Sequence, residues 1–345
     1  MATDSAELKQ ASDRPVPRRP RARKVLLAAF CLLAVGILLA AGMGWWTVSH
    51  YLGKVHRIPS VFPTDVPAEA QPEPGKGGQN FLLAGVDSRS SLPTTGEQAT
   101  GDLWKPGAQR SDTMMLVHLP ADHSAAYFVS LPRDSWVYIP GHGKAKLNAA
   151  FSWGGPPLLI DTVQRLTNLK VDHFAVLDWD GFKKLTNELG GVDIPLADGE
   201  KRHMNGEEAL GYVRERYSLA RGDLDRTHRQ QNFLRAVFAK TLSKATLSDP
   251  FAAKALLDKV TASVSVDDQL SNSDLRDLAW AHRNLRVHDM EFMNAPTSGT
   301  GTVQGQSVVN LDRSAGERLW QAIRDDDMAA YLAENETDSL TVSPR

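Results

Sequence analysis

The sequence predicts an α/β fold with a central mixed sheet, preceded by one N-terminal transmembrane helix. Three observations carry this. From Asn80 onward, short apolar runs ending in Gly, Pro or Asp alternate with segments of helical period. The composition is globular, 42% apolar and 23% charged in 345 residues, enough chain for one large domain or two ordinary ones. Residues 25–49, VLLAAFCLLAVGILLAAGMGWWTVS, contain no charge and match the ~20 apolar residues a helix needs to cross a bilayer.

Residues 1–24 are polar and basic, ending RPVPRRPRARK. The positive-inside rule keeps this tail in the cytoplasm and puts the chain beyond the apolar segment outside the cell membrane, with Trp45 and Trp46 in the far aromatic belt. A cleaved signal peptide is the alternative, but the apolar stretch exceeds the usual ~7–15-residue core of such peptides. Residues 50–79 are rich in Pro and Gly and read as a semi-extended linker.

Within 80–245, NFLLAGVD, TMMLVHLP and AAYFVSLP read as strands, the last two joined by a hairpin at ADHS. PPLLIDTVQRLTNL carries Leu159, Val163 and Leu166 at helical spacing, and WGGPP before it reads as a turn. HFAVLDWD is a strand, GFKKLTNELGG a helix with a glycine stop, and VDIPL another strand. NGEEALGYVRERY is a helix that Asn205 caps, with Glu208 three residues on. RTHRQQNFLRAVFAKTLSK is a longer helix with Leu234, Val237, Phe238 and Leu242 on one face. Residues 246–325 continue the α/β pattern, with helices near 250–262, 272–284 and 314–325 and strands near 286–292 and 306–311. Residues 326–345 read as a polar tail.

Several functions are excluded. Net charge is −2, so no nucleic-acid partner is expected. Cys31 is the single cysteine, which rules out an intrachain disulfide or a cysteine zinc cluster. The histidines lack metal-ligand spacing, and there is neither a GxSxG nor a GxxxxGK[ST] motif. Trp136, Trp153 and Trp179 read as core residues rather than sugar platforms.

The charge is locally concentrated instead. Residues 212–231, YVRERYSLARGDLDRTHRQQ, hold five arginines. GVDSR (85–89), QRSDT (109–113) and SLPRDSW (130–136) each join an arginine to a carboxylate at the end or start of an expected strand. Ligands of α/β sheets bind outside the carboxyl ends of strands. A hairpin partner runs the opposite way, so Arg110 and Asp112 can join Arg133 on one rim. Arg226, Arg229, Gln230 and Phe233 share a helix face, and two guanidinium groups near a helix N-terminus make an anion site. Arg214 and Arg216 point to different sides of the preceding helix. So many planar forks exceed the need of one carboxylate and suit a pyrophosphate. Asp87 and Asp112 are the candidates for a divalent metal, since magnesium takes one or two protein carboxylates plus water and phosphate.

At FLLAGVDSR, RSDTMMLVHL, VSLPRDSWVYIPG, KLNAAFSWGG, LGGVDIPL, NGEEALGYVRERY and GDLDRTHRQQNFLRAV the chain resembles the LytR-CpsA-Psr family of cell-wall glycopolymer transferases, in order over residues 80–245. The resemblance implies an α-β-α sandwich with an apolar groove for a prenyl chain. It implies attack by a peptidoglycan sugar hydroxyl on a polyprenyl-pyrophosphate-linked glycan, forming a phosphodiester and releasing polyprenyl phosphate. Asp87 and Asp112 would hold magnesium or manganese. Arg89, Arg110, Arg133, Arg214, Arg216, Arg226, Arg229 and Gln230 would line the pyrophosphate, with Arg110, Arg133 and Arg229 also counted as catalytic. Asp134 is the candidate base, with bracing of Arg133 as its other role. A lipid-pyrophosphate hydrolase and a non-enzymatic membrane-anchored regulator are the competing functions. The stretch SSLPTTGEQATGDLWKPGAQ between Arg89 and Arg110 is a long insertion, either a flap or a surface loop.

Overall fold

The structure, a computed structural model, describes residues 54–341 except 88–91, 101, 108, 216–218 and 244–249. The 1–24 tail and the 25–49 anchor lie outside the described residues, as do Arg89 and Arg216. Among the described residues no helix is long and apolar enough to cross a membrane.

A seven-stranded mixed sheet forms the middle layer, ordered β1-β10-β7-β2-β3-β4-β11. Its strands are β1 (His56–Ile58), β2 (Gln79–Asp87), β3 (Arg110–Leu119), β4 (Ala126–Ser130), β7 (His173–Asp178), β10 (Ser265–Asp267) and β11 (Met290–Asn294). β2 pairs parallel with β7 and antiparallel with β3, β3 pairs antiparallel with β4, and β4 pairs parallel with β11. The carboxyl ends of β2, β4, β7 and β11 therefore share one edge with the start of β3.

Strand alternation splits the core in two. Leu82, Ala84, Val86, Met114, Leu116 and Val129 face α1 (Leu147–Thr167) and α7 (Arg313–Arg324), meeting Leu159, Ile160, Val163, Leu319 and Ile323. Phe81, Leu83, Met115, Val117 and Phe128 face the other way, toward Leu234 and Phe238 of α4 (Asp223–Thr241). Helices thus cover both faces, giving the α-β-α sandwich. Leu116 is fully buried, and truncating it to Ala would cost about 2–5 kcal/mol. On the α4 side, α2 (Trp179–Glu188), α3 (Gly206–Arg214) and a two-stranded ribbon, β8 (Val192–Pro195) with β9 (Lys201–Met204), build a satellite core around Phe182, Ile194, Val213 and Phe233. VDIPL is a strand as expected, but it pairs in this ribbon and not in the central sheet.

Local chemistry sets the helix starts. Asn205 accepts from the backbone N–H of Glu207 and Glu208 at 3.0 Å, and Glu208 accepts from the Asn205 N–H at 2.9 Å, completing the expected capping box of α3. α4 begins three residues earlier than its apolar face suggests, so Asp223 and Asp225 sit in its first turn. WGGPP is a kink inside α1 rather than a turn before it. Gly155 adopts φ 62° and ψ −155°, with Pro156 and Pro157 opening the second helical stretch.

Three segments are more ordered than their composition suggests. The Pro/Gly-rich 54–79 stretch is packed along the domain: β1 pairs with β10, Val61 is buried, and the Lys76 N–H donates to the Arg324 carbonyl at 3.0 Å. The insertion is anchored rather than flap-like. Thr94 Oγ1 donates to Asp178 Oδ2 at 2.6 Å, and the Gly96 N–H donates to Ser265 Oγ at 2.9 Å. The 326–345 tail contains α8 (Met328–Glu334), and Ser339 bridges antiparallel to Met293, covering the β11 edge. β12 (Thr297–Val303) forms an additional hairpin with the expected β13 (Gln306–Leu311).

Candidate active site

The site lies where the strand ends and the start of α4 converge. β2 and β3 place Asp87 directly across from Arg110. One step inward, Val86 faces Ser111 and Gly85 faces Thr113, so Asp112 is the extra residue of a β-bulge. Bulges re-aim side chains, and the Asp112 carboxylate meets Arg133 in an ion pair through Arg133 Nη1. Arg133 comes from the turn after β4, which the hairpin with β3 brings alongside: the Leu131 N–H donates to the Met114 carbonyl at 2.9 Å. The expected rim of Asp112 and Arg133 is therefore formed.

Arg133 is the hub. Its Nε stands 3.8 Å from Asp134 Oδ2 and 3.8 Å from Asp223 Oδ1. Asp134 in turn forms an ion pair with Lys146, Oδ1 to Nζ 3.1 Å, and Asp223 pairs with Arg226 one turn along α4. Three cations (Arg133, Lys146, Arg226) and three carboxylates (Asp112, Asp134, Asp223) thus balance within one cluster.

The balance hides a surplus of donors. Arg133 Nε, Arg226 Nε and Nη2, and Arg229 Nε are buried with no hydrogen-bond acceptor, and both Asp223 oxygens are buried with no hydrogen-bond donor. Arg226 and Asp223 touch as an ion pair without hydrogen-bond alignment. Arg226 is only 4% exposed. Its burial lowers its pKa, and burial pushes the Asp223 carboxyl up, helped by Asp134 and Asp112 and opposed by Arg226. Both shifts say that pairing does not fully offset desolvation. For Arg133, burial acts downward but Asp112 and Asp134 outweigh it, so its pKa is raised and its charge is fixed.

The other expected residues occupy distinct places. Arg229 lies one turn beyond Arg226, its guanidinium carbon 4.8 Å from the Tyr212 ring centroid. Tyr212 is held by Asn232 Nδ2, which donates to its hydroxyl at 3.0 Å. Gln230 is buried on α4, while its neighbour Gln231 ties α4 to the sheet by donating to Ser130 Oγ and the Met293 carbonyl at 2.8 Å. Arg110 is exposed at the β3 start. Arg214 is exposed at the end of α3, 5.6 Å above the Trp179 ring, and joins the site through no ion pair among the described residues. Of the three tryptophans expected in the core, Trp153 is 41% exposed.

Asp223, Lys146 and Tyr212 join the candidate site without being singled out by the sequence reading. Asp223 and Arg226 stand at i and i+3 of a helix, the spacing of an ion pair, and that was the available signal. Lys146 carries none, because its position depends on a hairpin folding back.

The donor set at Asp87 and Asp112 is two carboxylates at adjacent strand ends, hard oxygens suited to magnesium or manganese. Among the described residues no group of three or more His, Cys, Asp or Glu gathers into a metal-holding cluster. A cavity of about 360 Å³ lies at the opposite end of the sheet, lined by Val61, Gln164, Lys170 and Asp172 among others, apart from this chemistry.

The sequence model of the LytR-CpsA-Psr family matches residues 62–325. The chain belongs to this family. It is 32% identical over 305 residues to the probable cell wall biosynthesis protein LcpB of Corynebacterium glutamicum, covering 85% of this chain and 70% of that protein. It is 28% identical to the polyisoprenyl-teichoic acid–peptidoglycan teichoic acid transferase TagU of Enterococcus faecalis, covering 88% and 97%. The crystal structure of B. subtilis TagV has the same fold, with a TM-score of 0.59 at 22% identity over 73% of this chain and 98% of that one.

Proposed function

We propose that this LytR-CpsA-Psr protein is a phosphotransferase that moves a glycopolymer from a polyprenyl-pyrophosphate carrier to a peptidoglycan sugar hydroxyl. The acceptor oxygen attacks the phosphorus next to the glycan. The bond from that phosphorus to the bridging oxygen breaks, polyprenyl phosphate leaves, and a phosphodiester remains. One observation carries the reading: Arg133 Nε and Arg226 Nε and Nη2 are buried around Asp223 without a hydrogen-bond acceptor, and Arg229 Nε is likewise buried without one a turn further along α4. Oxygens of a diphosphate are the acceptors that fit planar forks. The name of the E. faecalis relative supports the donor and acceptor classes.

Phosphoryl transfer depends on positioning and on neutralising charge over the equatorial and leaving oxygens. Arg133 and Arg226 hold the diphosphate from two sides, with Asp223 between them fixing both forks before substrate arrives. Arg229, supported on Tyr212, extends the cradle along α4, and Arg110 guards the open edge. Asp134 takes the acceptor hydroxyl proton, with its carboxylate steadied by Lys146. Asp87 and Asp112 would hold magnesium or manganese. Bound there, the ion neutralises charge developing on the diphosphate oxygens. Residues 25–49 anchor the chain as a single pass, with the N-terminus cytoplasmic and the domain outside, which raises the effective concentration of a lipid-bound donor. The apolar residues beside α4, Phe182, Leu210, Val213 and Phe233, are closed into the satellite core, so a prenyl chain entering there would have to part that packing.

The test is turnover by the full chain with magnesium, a polyprenyl-pyrophosphoryl glycan and peptidoglycan. Polyprenyl phosphate should appear together with peptidoglycan-linked glycan. No release of polyprenyl phosphate under these conditions would defeat the enzyme reading.

A further inference from the structure

The hairpin of β5 (Trp136–Ile139) and β6 (Gly143–Lys146) follows directly on Arg133 and Asp134. Alternation sends Val137 and Ile139 into the core and Trp136 and Tyr138 to the opposite face. The register pairs Trp136 with Lys146 and Tyr138 with Lys144, so two rings and two ammonium groups share that outward face. Tyr138 is 58% exposed. At the turn, the His142 ring centroid lies 4.8 Å from that of the exposed Trp153. The face is continuous with the site, because Lys146 is the residue that pairs with Asp134 at 3.1 Å.

We propose that this face seats the acceptor glycan strand, an occupant that rests on the transferase reading. Exposed rings offer flat apolar surface for the C–H faces of sugars, with a polar handle at Tyr138. The exposed Lys144 suits the carboxylates of peptide stems carried by such a strand. The location also fits the reaction geometry. Phosphoryl transfer needs attacking and leaving groups roughly in line. α4, which carries Arg226 and Arg229, packs on one face of the sheet, while the β5–β6 hairpin packs with α1 on the other. An acceptor approaching along Tyr138 and Trp136 reaches Asp134, the base, from the side of the sheet opposite α4 and its arginines.

The experiment is co-sedimentation of the detergent-solubilised full chain with purified peptidoglycan sacculi, without donor, alongside the transfer assay. Tyr138→Ala and Trp153→Ala change exposed side chains and should leave folding intact. Each should weaken sedimentation about five- to tenfold, the worth of one lost ring contact, whereas Tyr138→Phe keeps the ring and should retain most binding. In transfer, the acceptor KM should rise by the same factor, with donor binding unchanged. Unchanged sedimentation of both Ala variants, or no sedimentation of the wild type, overturns the proposal. The two readings separate cleanly. Ring-dependent binding without any phosphodiester product upholds the surface and defeats the transferase. Phosphodiester product with ring-independent binding does the reverse.

Discussion

Replacing Arg133 by Ala removes the hub of the site. The guanidinium touches Asp112 and stands 3.8 Å from both Asp134 and Asp223. A diphosphate oxygen bound there faces a unit charge at ~4 Å, an interaction of about 4 kcal/mol at an effective dielectric of ~20. Removing one preorganised donor of this kind costs about 2.7–4 kcal/mol, or 10²–10³-fold in kcat. Stability should fall much less. Breaking a fully buried ion pair costs about 3–5 kcal/mol, but the Arg133 side chain is 16% exposed, and Lys146 and Arg226 stay to counter the carboxylates. A loss of about 1–2 kcal/mol is expected. Arg133→Lys keeps the charge but not the fork and should recover only part of the rate. The assay is release of polyprenyl phosphate from a lipid-pyrophosphoryl glycan with peptidoglycan present, with thermal unfolding run on the same samples. A folded Arg133→Ala protein within about threefold of wild-type kcat would refute the assignment.

Three further outcomes are expected. Gly96 has φ +81°, and a Cβ there would strike the Ala262 carbonyl, so Gly96→Ala should lower stability by about 2–3 kcal/mol; an unchanged unfolding curve would show that the insertion is not anchored at this point. Burial acts to raise the Asp225 pKa, but hydrogen bonds from the Arg221 N–H and guanidinium outweigh it, and the pKa is lowered. Its contribution is therefore complete above the unfolded value of ~3.9 and is lost as pH falls through the folded one; Asp225→Asn should lose stability at neutral pH and flatten the acid limb of a stability–pH profile, and parallel profiles would contradict this. Asp87→Asn should raise the magnesium concentration for half-maximal activity at least about tenfold, while an identical magnesium dependence would remove Asp87 from the metal site.

The sandwich was legible because its strands and helices carry strong periods. Phe81 to Val86 alternate between two cores, and the Asn205 capping box marks α3 by itself. The rim of Asp112 and Arg133 was legible for a topological reason: an antiparallel hairpin must bring the start of one strand to the end of the next. Asp223 and Lys146 were not singled out, since their roles come from tertiary convergence on Arg133 and not from any local pattern. Arg214 stands over the Trp179 ring at the end of α3, a placement that its spacing in the sequence does not encode. Residues 54–79 and the insertion look like loops by composition; they are held by scattered long-range contacts such as Gly96 to Ser265 and Thr94 to Asp178, which no local sequence signal encodes. Trp153 read as core because it lies in an apolar stretch. The Gly155 kink starts a new helical stretch right after it, and its ring meets His142 at the surface.

The most direct test of the account is the fate of the phosphorus during turnover in heavy-oxygen water, followed by phosphorus NMR and mass spectrometry of the products. The transferase account predicts a glycan joined to peptidoglycan through a phosphodiester with no solvent oxygen incorporated, and stoichiometric polyprenyl phosphate. Solvent oxygen in a free glycan phosphate, with no peptidoglycan-linked product, would contradict it.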